Sequence, residues 1–538
     1  MLQISQLRLP VNHSQEDLHR AVAGLLGLKT EKLEEVEIKQ RAVDARKRNE
    51  VQFCYTLRVK VHDEGKLLKR SNKNGRVERE PAEDYAAVHL AKDSAASEGR
   101  KKIVVVGSGP CGLFAALLLA REGLKPLLLE RGKAAGPRAR DVTGFWRRGW
   151  NFDSNSNVQF GEGGAGTFSD GKLYTQIRDR ENRIPWILRE LVKAGAPEDI
   201  LVKSRPHIGT DRLIKVVRTI REEINALGGE VRFETRVADV VVEKGAMRAV
   251  VTGSGETIEA DHFIFAIGHS SRDTFEALHA RGIPFEAKPF SVGVRIEHPQ
   301  VLMDSAQFGR AAGHPLLGAA AYKFVAHCDT GRTAYSFCMC PGGLVVAANS
   351  EPEMVVTNGM SSYARAESNA NAGFMVEIGP QDFQSDSTLG GIEFQRMLER
   401  RAYQLGGSNY HAPAQLLGDF IAGRASTGPG KVQPSYQPGV KWTDLHELLP
   451  EIVAATLKQS VAQIDKQVRG FDFEDAVMTG METRSSSPVR IPRDPDSLEC
   501  VGVKNFCPAG EGAGYAGGII SAAVDGMRVA ERLVSRLA

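Results

Sequence analysis

The sequence predicts an α/β fold with a discontinuous parallel-sheet domain, an inserted α+β block and a small N-terminal α+β module, on three observations. Near residue 103 an apolar strand runs directly into a glycine-rich turn and an apolar helix. After residue 508 a second glycine-rich turn opens the last helical pattern. Between and before them lie more residues than one ordinary core holds, since the chain has 538, so two or three domains are expected.

Composition narrows the class. Apolar residues make up 42% and charged residues 25%, ordinary globular values. Glycine exceeds its usual share of about 7%, with 55 residues gathered in clusters. A formal net charge of +3 gives no global argument for a nucleic-acid or membrane partner. The seven cysteines, at 54, 111, 328, 338, 340, 500 and 507, are too sparse and too odd in number for a disulfide framework, which implies a reducing compartment. The opening MLQISQLRLPVNHSQEDLHR lacks a basic segment followed by an apolar run, so no signal peptide is read. The runs Leu113–Ala120 and Phe263–Ile267 fall short of the roughly 18 residues that span a bilayer. A cytoplasmic location with no membrane partner is the expectation.

Residues 1–95 read as the N-terminal module: strand Gln3–Leu9, helix Ser14–Leu26 behind a serine cap, and strand Gln52–Val61. Two basic stretches, Arg41–Arg48 and Lys66–Arg76, suit either an acidic or nucleic-acid partner or the solvated ends of hairpins. A polar connector follows at Lys92–Lys102. Residues 100–285 carry the first part of the parallel-sheet domain. In it, helix Asp211–Leu227 leads through Gly228-Gly229 to strand Glu230–Phe233 and three more short strands, ending at His262–Ile267. Residues 286–484 look less regular, with one long helical pattern at Ile452–Val468, and read as a substrate-side block. Residues 485–538 return to the first domain.

The chemistry starts at Ile103–Val106, a buried parallel-strand run followed by Gly107-Ser-Gly109-Pro110-Cys111-Gly112 and helix Leu113–Arg121. Gly107 permits the tight turn, Gly109 lets a pyrophosphate approach the backbone, and Gly112 lets helix and strand pack closely. A diphosphate would then face free N–H groups at the positive end of the helix. The next strand, Pro126–Leu129, ends in Glu130-Arg131. Glu130 lies 18 residues past Gly112, near the spacing of about 20 expected for a carboxylate on a ribose hydroxyl. Strand, three glycines, helix, strand and acid within about 30 residues make a dinucleotide-binding Rossmann-like unit.

Three further motifs resemble the glutathione-reductase-type FAD superfamily, in particular bacterial FAD-dependent dehydrogenases with an extra N-terminal module. The first is Phe160-Gly-Glu-Gly-Gly-Ala-Gly-Thr-Phe-Ser-Asp-Gly-Lys-Leu173, similar to the family's second glycine loop beside pyrophosphate and flavin. It brings Gly161, Gly163, Gly164, Gly166, Thr167, Ser169 and Lys172 to the expected cofactor site. Lys172 either offsets phosphate or flavin charge or lies on the surface. The second is Phe263–Gly268, similar to the family's strand ending in glycine. The third is Pro508-Ala-Gly510-Glu511-Gly-Ala-Gly-Tyr-Ala-Gly517-Gly518-Ile519, opening helix Ile520–Leu533. The family has Gly-Asp here, the Asp holding a ribityl hydroxyl; Glu511 moves that carboxylate outward by about 1.5 Å. The resemblance implies a Rossmann-like FAD-binding domain, discontinuous over 100–285 and 485–538, with an inserted α+β substrate domain at 286–484.

No complete second Rossmann unit is read. Gly253-Ser-Gly255 lies between strands Arg248–Thr252 and Thr257–Ala260 and reads as a hairpin turn. NAD(P)H therefore either binds transiently over the flavin as electron donor or takes no part. Cys338-Met-Cys340 is either a redox relay or a pair of buried small side chains, and no metal site is expected. Arg484 and Arg295 are candidates for substrate or flavin contact, or for structural ion pairs. His269 reads as a structural residue. The reading is an FAD-dependent oxidoreductase moving hydride between flavin and a small organic substrate. Two alternatives are a flavin-dependent RNA- or carrier-modifying enzyme and a non-catalytic redox sensor.

Overall fold

A computed structural model describes residues 1–48, 50–71, 75–81, 85–86, 101–383 and 385–537. Most of the expected connector, residues 92–100, lies outside them.

The N-terminal unit is a four-stranded antiparallel sheet in the order Leu33–Asp44, Gln52–Val61, Leu2–Pro10, Val77–Arg79. Helix Gln15–Leu26 starts where predicted: Ser14 Oγ accepts from the Asp17 N–H at 3.1 Å, and Asp17 accepts from the Ser14 N–H at 2.9 Å. Its buried face, Leu18, Val22 and Leu26, keeps a four-residue repeat, while Phe53, Tyr55, Leu57, Val59 and Val61 alternate inward along their strand. Strand Leu33–Asp44 was not read from the sequence. The Arg41–Arg48 stretch is laced with its own acids: Arg46 pairs with Asp44 and Lys47 with Glu50. Arg41 exchanges backbone bonds with Val202 and Ser204, which ties the unit to the next one.

The second unit is a five-stranded parallel sheet in the order Phe506–Pro508, His262–Phe265, Ile103–Val106, Leu127–Leu129, Glu230–Arg232. The chain's late strand thus lies beside an early one, the predicted discontinuity. On one face pack helices Pro110–Arg121, Arg183–Lys193, Thr210–Ala226 and Ile519–Leu537. On the other lie helix Arg272–Ala280 and a three-stranded meander, Val237–Glu243, Ala246–Thr252 and Thr257–Glu259. Helix Pro110–Arg121 is buried at every position from Cys111 to Ala120 because it is covered by the sheet and by the C-terminal helix. Gly253-Ser254-Gly255 is the expected hairpin, joining antiparallel strands with Gly255 at φ +88.

Residues 286–484 are more regular than the sequence suggested, which corrects that expectation. They build all of a seven-stranded mixed sheet in the order Val325–His327, Thr333–Cys340, Asn369–Ile378, Phe290–Pro299, Val477–Glu482, Ala412–Leu416, Val440–Trp442. Phe290–Pro299 and Asn369–Ile378 pair antiparallel along ten residues. Helix Glu451–Gln467 packs across this sheet and helix Gly390–Leu405 flanks it. Among the described residues no helix is long and apolar enough to cross a membrane.

A glycine-lined cavity between the two large sheets

One cavity of about 650 Å³ runs between the parallel sheet and the seven-stranded sheet. Gly107, Gly109, Pro110 and Cys111 line it at the start of the first helix, with Glu130 and Arg131 at the end of the next strand. Gly164, Gly166, Ser169 and Lys172 line it from the second glycine loop, and Gly268 from the strand end. Glu511, Gly517, Gly518 and Ile519 close it at the N-terminus of the last helix. The sequence had scattered these positions over some 400 residues; the fold brings them to one wall.

The glycines divide by what a side chain would meet. A Cβ on Gly112 would lie 1.8 Å from Gly107 O, and one on Gly107 would lie 2.4 Å from Ala266 O, with Gly107 at φ +99. These two permit packing of turn, helix and strand. A Cβ on Gly268 or Gly517 would meet no atom within 4 Å, so their backbone lies bare to the cavity. The N-cap Gly109 supplies no side-chain cap, which leaves the first N–H groups of that helix for a ligand. Bare glycine backbone at two helix N-termini, joined by one long cavity, fits a dinucleotide whose phosphates lie at the first.

Five expected contact residues stand behind the wall instead of on it. Gly112 and Gly510 are packed against Gly107 and Cys111. The Gly161 N–H donates to Glu130, and the Gly163 N–H donates to Ser108 O. Thr167 is buried, its hydroxyl donating to Glu162 O. They shape the loops because each backbone group is already spent inside the protein.

Glu130 is 4% exposed and accepts four bonds. One oxygen takes the Ser108 N–H at 2.9 Å and hydroxyl at 2.7 Å; the other takes the N–H groups of Gly132 at 2.8 Å and Gly161 at 3.0 Å. All four lone-pair positions are used, so this carboxylate pins both glycine loops together. Arg131 forks onto Asp273 and stacks on the Phe160 ring with its guanidinium 4.0 Å from the centroid. Glu511 sits with its Oε1 3.4 Å from His269 Nδ1, and His269 Nε2 is buried with no hydrogen-bond partner.

One expectation needs correcting. Arg295 is fully buried and does not line the cavity, which leaves the structural ion pair: its Nη1 donates to both Glu482 oxygens at 2.9 and 3.1 Å and its Nη2 to Asn371 Oδ1 at 3.0 Å. Lys172 does line the cavity. It reaches the seven-stranded sheet, donating to Met339 O, with Asp170 at 3.2 Å and Cys340 Sγ at 4.0 Å. Arg484 does reach the cavity wall, but its fork binds Glu399 at 2.8 and 3.0 Å and its remaining arm binds Ser270 at 2.6 Å. Arg272 holds the same carboxylate at 2.7 and 2.8 Å. Burial opposes ionisation of Glu399, but the two guanidinium groups outweigh it and hold the carboxyl well below its ordinary range.

Sequence reasoning missed Tyr174, Thr235, Val237, Lys323, Phe337 and Asn358 on the cavity wall. None lies in a motif. Cys338, the first thiol of Cys338-Met-Cys340, also lines it.

The cavity and the parallel sheet define a Rossmann-like nucleotide-binding protein, and comparison with known proteins specifies it. Residues 289–485 match a family described as the C-terminal domain-like part of FAD-dependent proteins. Residues 105–163 match an NAD(P)-binding Rossmann-like domain, and residues 1–60 a domain of unknown function. An uncharacterized protein of Clostridium beijerinckii is 44% identical over 536 residues, covering 99% of each chain. A tetracenomycin B2 monooxygenase-dioxygenase of Streptomyces olivaceus is 23% identical over 31% of this chain and 33% of its own. Among solved structures, the halogenase PltM has a TM-score of 0.36 at 11% identity, covering 82% of this chain and 69% of its own. The chain belongs to the same family as the Clostridium beijerinckii protein, a family of FAD-dependent proteins, and its cofactor is FAD.

Proposed function

We propose that this protein is an FAD-dependent oxidoreductase that moves a hydride between flavin and a small organic substrate seated against residues 286–484. One observation carries the reading: a single cavity joins the two glycine-bearing helix N-termini to a wall made by Lys323, Phe337, Cys338, Asn358 and Arg484 of that block. When bound, FAD supplies the two-electron chemistry, and the protein supplies orientation and electrostatics.

The uncapped N–H groups after Gly109 would hold the diphosphate, since the helix dipole there favours negative charge. Glu130 holds the two glycine loops in register for it. A grip by Glu130 on a ribose hydroxyl would have to displace Ser108 Oγ, its one adaptable donor. Glu511 would hold the ribityl side of the cofactor, and the N–H groups at the start of the last helix would favour the negative charge that reduction brings to the flavin. Arg484 fixes Ser270 and with it the wall between cofactor and substrate. Among the described residues there is one Rossmann-like sheet, so NADH or NADPH would approach transiently over the flavin.

The test is anaerobic mixing of the yellow protein with NADPH and then NADH, read at the flavin absorbance band. Bleaching by either supports nicotinamide-linked reduction; a flavin that neither donor bleaches overturns that part of the reading. Purification of the intact chain without FAD, and failure to take it up, overturns the whole.

A further inference from the structure

Cys338 and Cys340 lie on strand Thr333–Cys340 where its pairing to Asn369–Ile378 shifts by one residue between Phe337 and Cys340. The bulge puts Cys338 at φ +40, a left-handed conformation unusual for a side chain other than glycine, and turns it onto the cavity wall. Cys340 is fully buried behind it, its thiol 3.3 Å from Cys338 O. Arg295 Nη2 donates to Cys338 O at 2.7 Å and stands 3.6 Å from Cys340 Sγ; Lys172 Nζ stands 4.0 Å from the same sulfur.

The charges around the pair suit a thiolate. Lys172, Arg295 and Arg365 face the carboxylates Asp170 and Glu482 beside the cavity, and Arg295 also acts on the buried Glu297. Tyr322 stays neutral, and His207 is pushed down to about 4 by burial and then Arg365. Buried cations need partners. Burial lifts Glu482 up to about 7 despite Arg295, so below that pH Arg295 loses its carboxylate partner. One thiolate shared by the two sulfurs, within 3.6 Å of Arg295 and 4.0 Å of Lys172, supplies another. The Cys340 thiol donating to Cys338, with Lys172 and Arg295 behind, brings Cys338 down to about 5, while that contact and burial push Cys340 up.

Resting on the flavin reading above, we propose that Cys338 and Cys340 form a redox-active dithiol that exchanges two electrons with the bound flavin, with Lys172 and Arg295 as the cations that hold its thiolate. In the oxidising direction the S–H bond of Cys340 breaks and an S–S bond forms to Cys338. The pair gives up two electrons and one proton, and oxidised flavin takes all three to become the anionic reduced form. The sum, thiolate plus thiol plus oxidised flavin to disulfide plus reduced flavin anion, balances in atoms and charge. Phe337 and Asn358 share the wall with Cys338, so the exchange takes place on the substrate side of the cavity.

Anaerobic dithionite titration of the FAD-loaded protein, oxidised beforehand with diamide, tests this. The expected uptake is about four electrons per flavin, two for each couple, falling to about two in Cys338→Ser and Cys340→Ser. Denatured thiol counts should drop from seven to five on oxidation, with the lost pair mapped to one peptide. In reduced protein, Cys338 should be alkylated by iodoacetamide at a midpoint well below that of an ordinary thiol, moved upward by about one pH unit or more in Lys172→Gln. A flavin-loaded wild type that takes two electrons and keeps all seven thiols overturns the dithiol and leaves the flavin reading intact. A protein that forms the mapped disulfide but takes up no FAD overturns the flavin reading and, with it, this electron partner.

Discussion

Replacing Glu130 tests whether one carboxylate sets the shape of the cofactor site. Its four acceptor bonds come from Ser108 N–H and Oγ on one oxygen and from the Gly132 and Gly161 N–H groups on the other. In Glu130→Gln the less costly orientation turns the amide nitrogen toward Ser108, because a hydroxyl can rotate to accept. The Ser108 N–H alone is then orphaned, at about 1–3 kcal/mol. If that cost falls on the loop arrangement that binds FAD, affinity drops roughly 5- to 150-fold. Glu130→Ala orphans three backbone N–H groups, and water entering the gap recovers only part of about 3–9 kcal/mol. FAD titration of apoprotein, followed by quenching of flavin fluorescence, should rank wild type over glutamine over alanine. Apoprotein urea curves should move in the same order. A glutamine variant that binds FAD within twofold of wild type at an unchanged urea midpoint would refute the idea that this carboxylate joins the loops.

Gly112→Ala and Gly517→Ala should separate packing from cofactor contact. The first places a Cβ 1.8 Å from Gly107 O and should lower the melting temperature of the apoprotein; the second meets no atom within 4 Å and should leave that melting temperature unchanged while weakening FAD binding. Glu399→Gln should cost about 3–5 kcal/mol at neutral pH, because Arg272 and Arg484 remain buried beside a neutral partner. Since the native carboxyl is held below its unfolded value, its contribution is present above pH about 4.5 and is lost as pH falls further, so the variant's acid unfolding should be shallower there. Arg484→Lys keeps one charge but loses the fork onto Glu399 and the bond to Ser270; it should reduce turnover with any substrate that reduces or oxidises the flavin, and destabilise the chain less than Glu399→Gln.

What the sequence made legible was local. The Ile103–Glu130 unit declares itself because turn, packing and cradle all require glycine within a few residues, and Ser14 announces its helix by a reciprocal cap. Neither Phe290–Pro299, the strand that carries Arg295, nor its partner Asn369–Ile378 stands out in the sequence. Both are buried on two faces, which erases the alternation that marks a half-buried strand. Leu33–Asp44 hid for the opposite reason, its charged residues outnumbering an inward stripe. Lys172 could not be placed from its loop, because Met339 and Cys340 are more than 160 residues away in the chain. The Arg295 fork likewise binds Glu482 across a strand pair that no spacing rule anticipates.

The last helix, Ile519–Leu537, packs so closely on the first that a Cβ on Gly526 would lie 2.1 Å from Cys111 O, and strand Phe506–Pro508 completes the parallel sheet. The two parts of the cofactor wall are thus made roughly 400 residues apart, which at about 5–20 residues per second is a wait of about 20–80 s. Throughout that interval the glycine fingerprint lacks the lining that Glu511, Gly517, Gly518 and Ile519 supply.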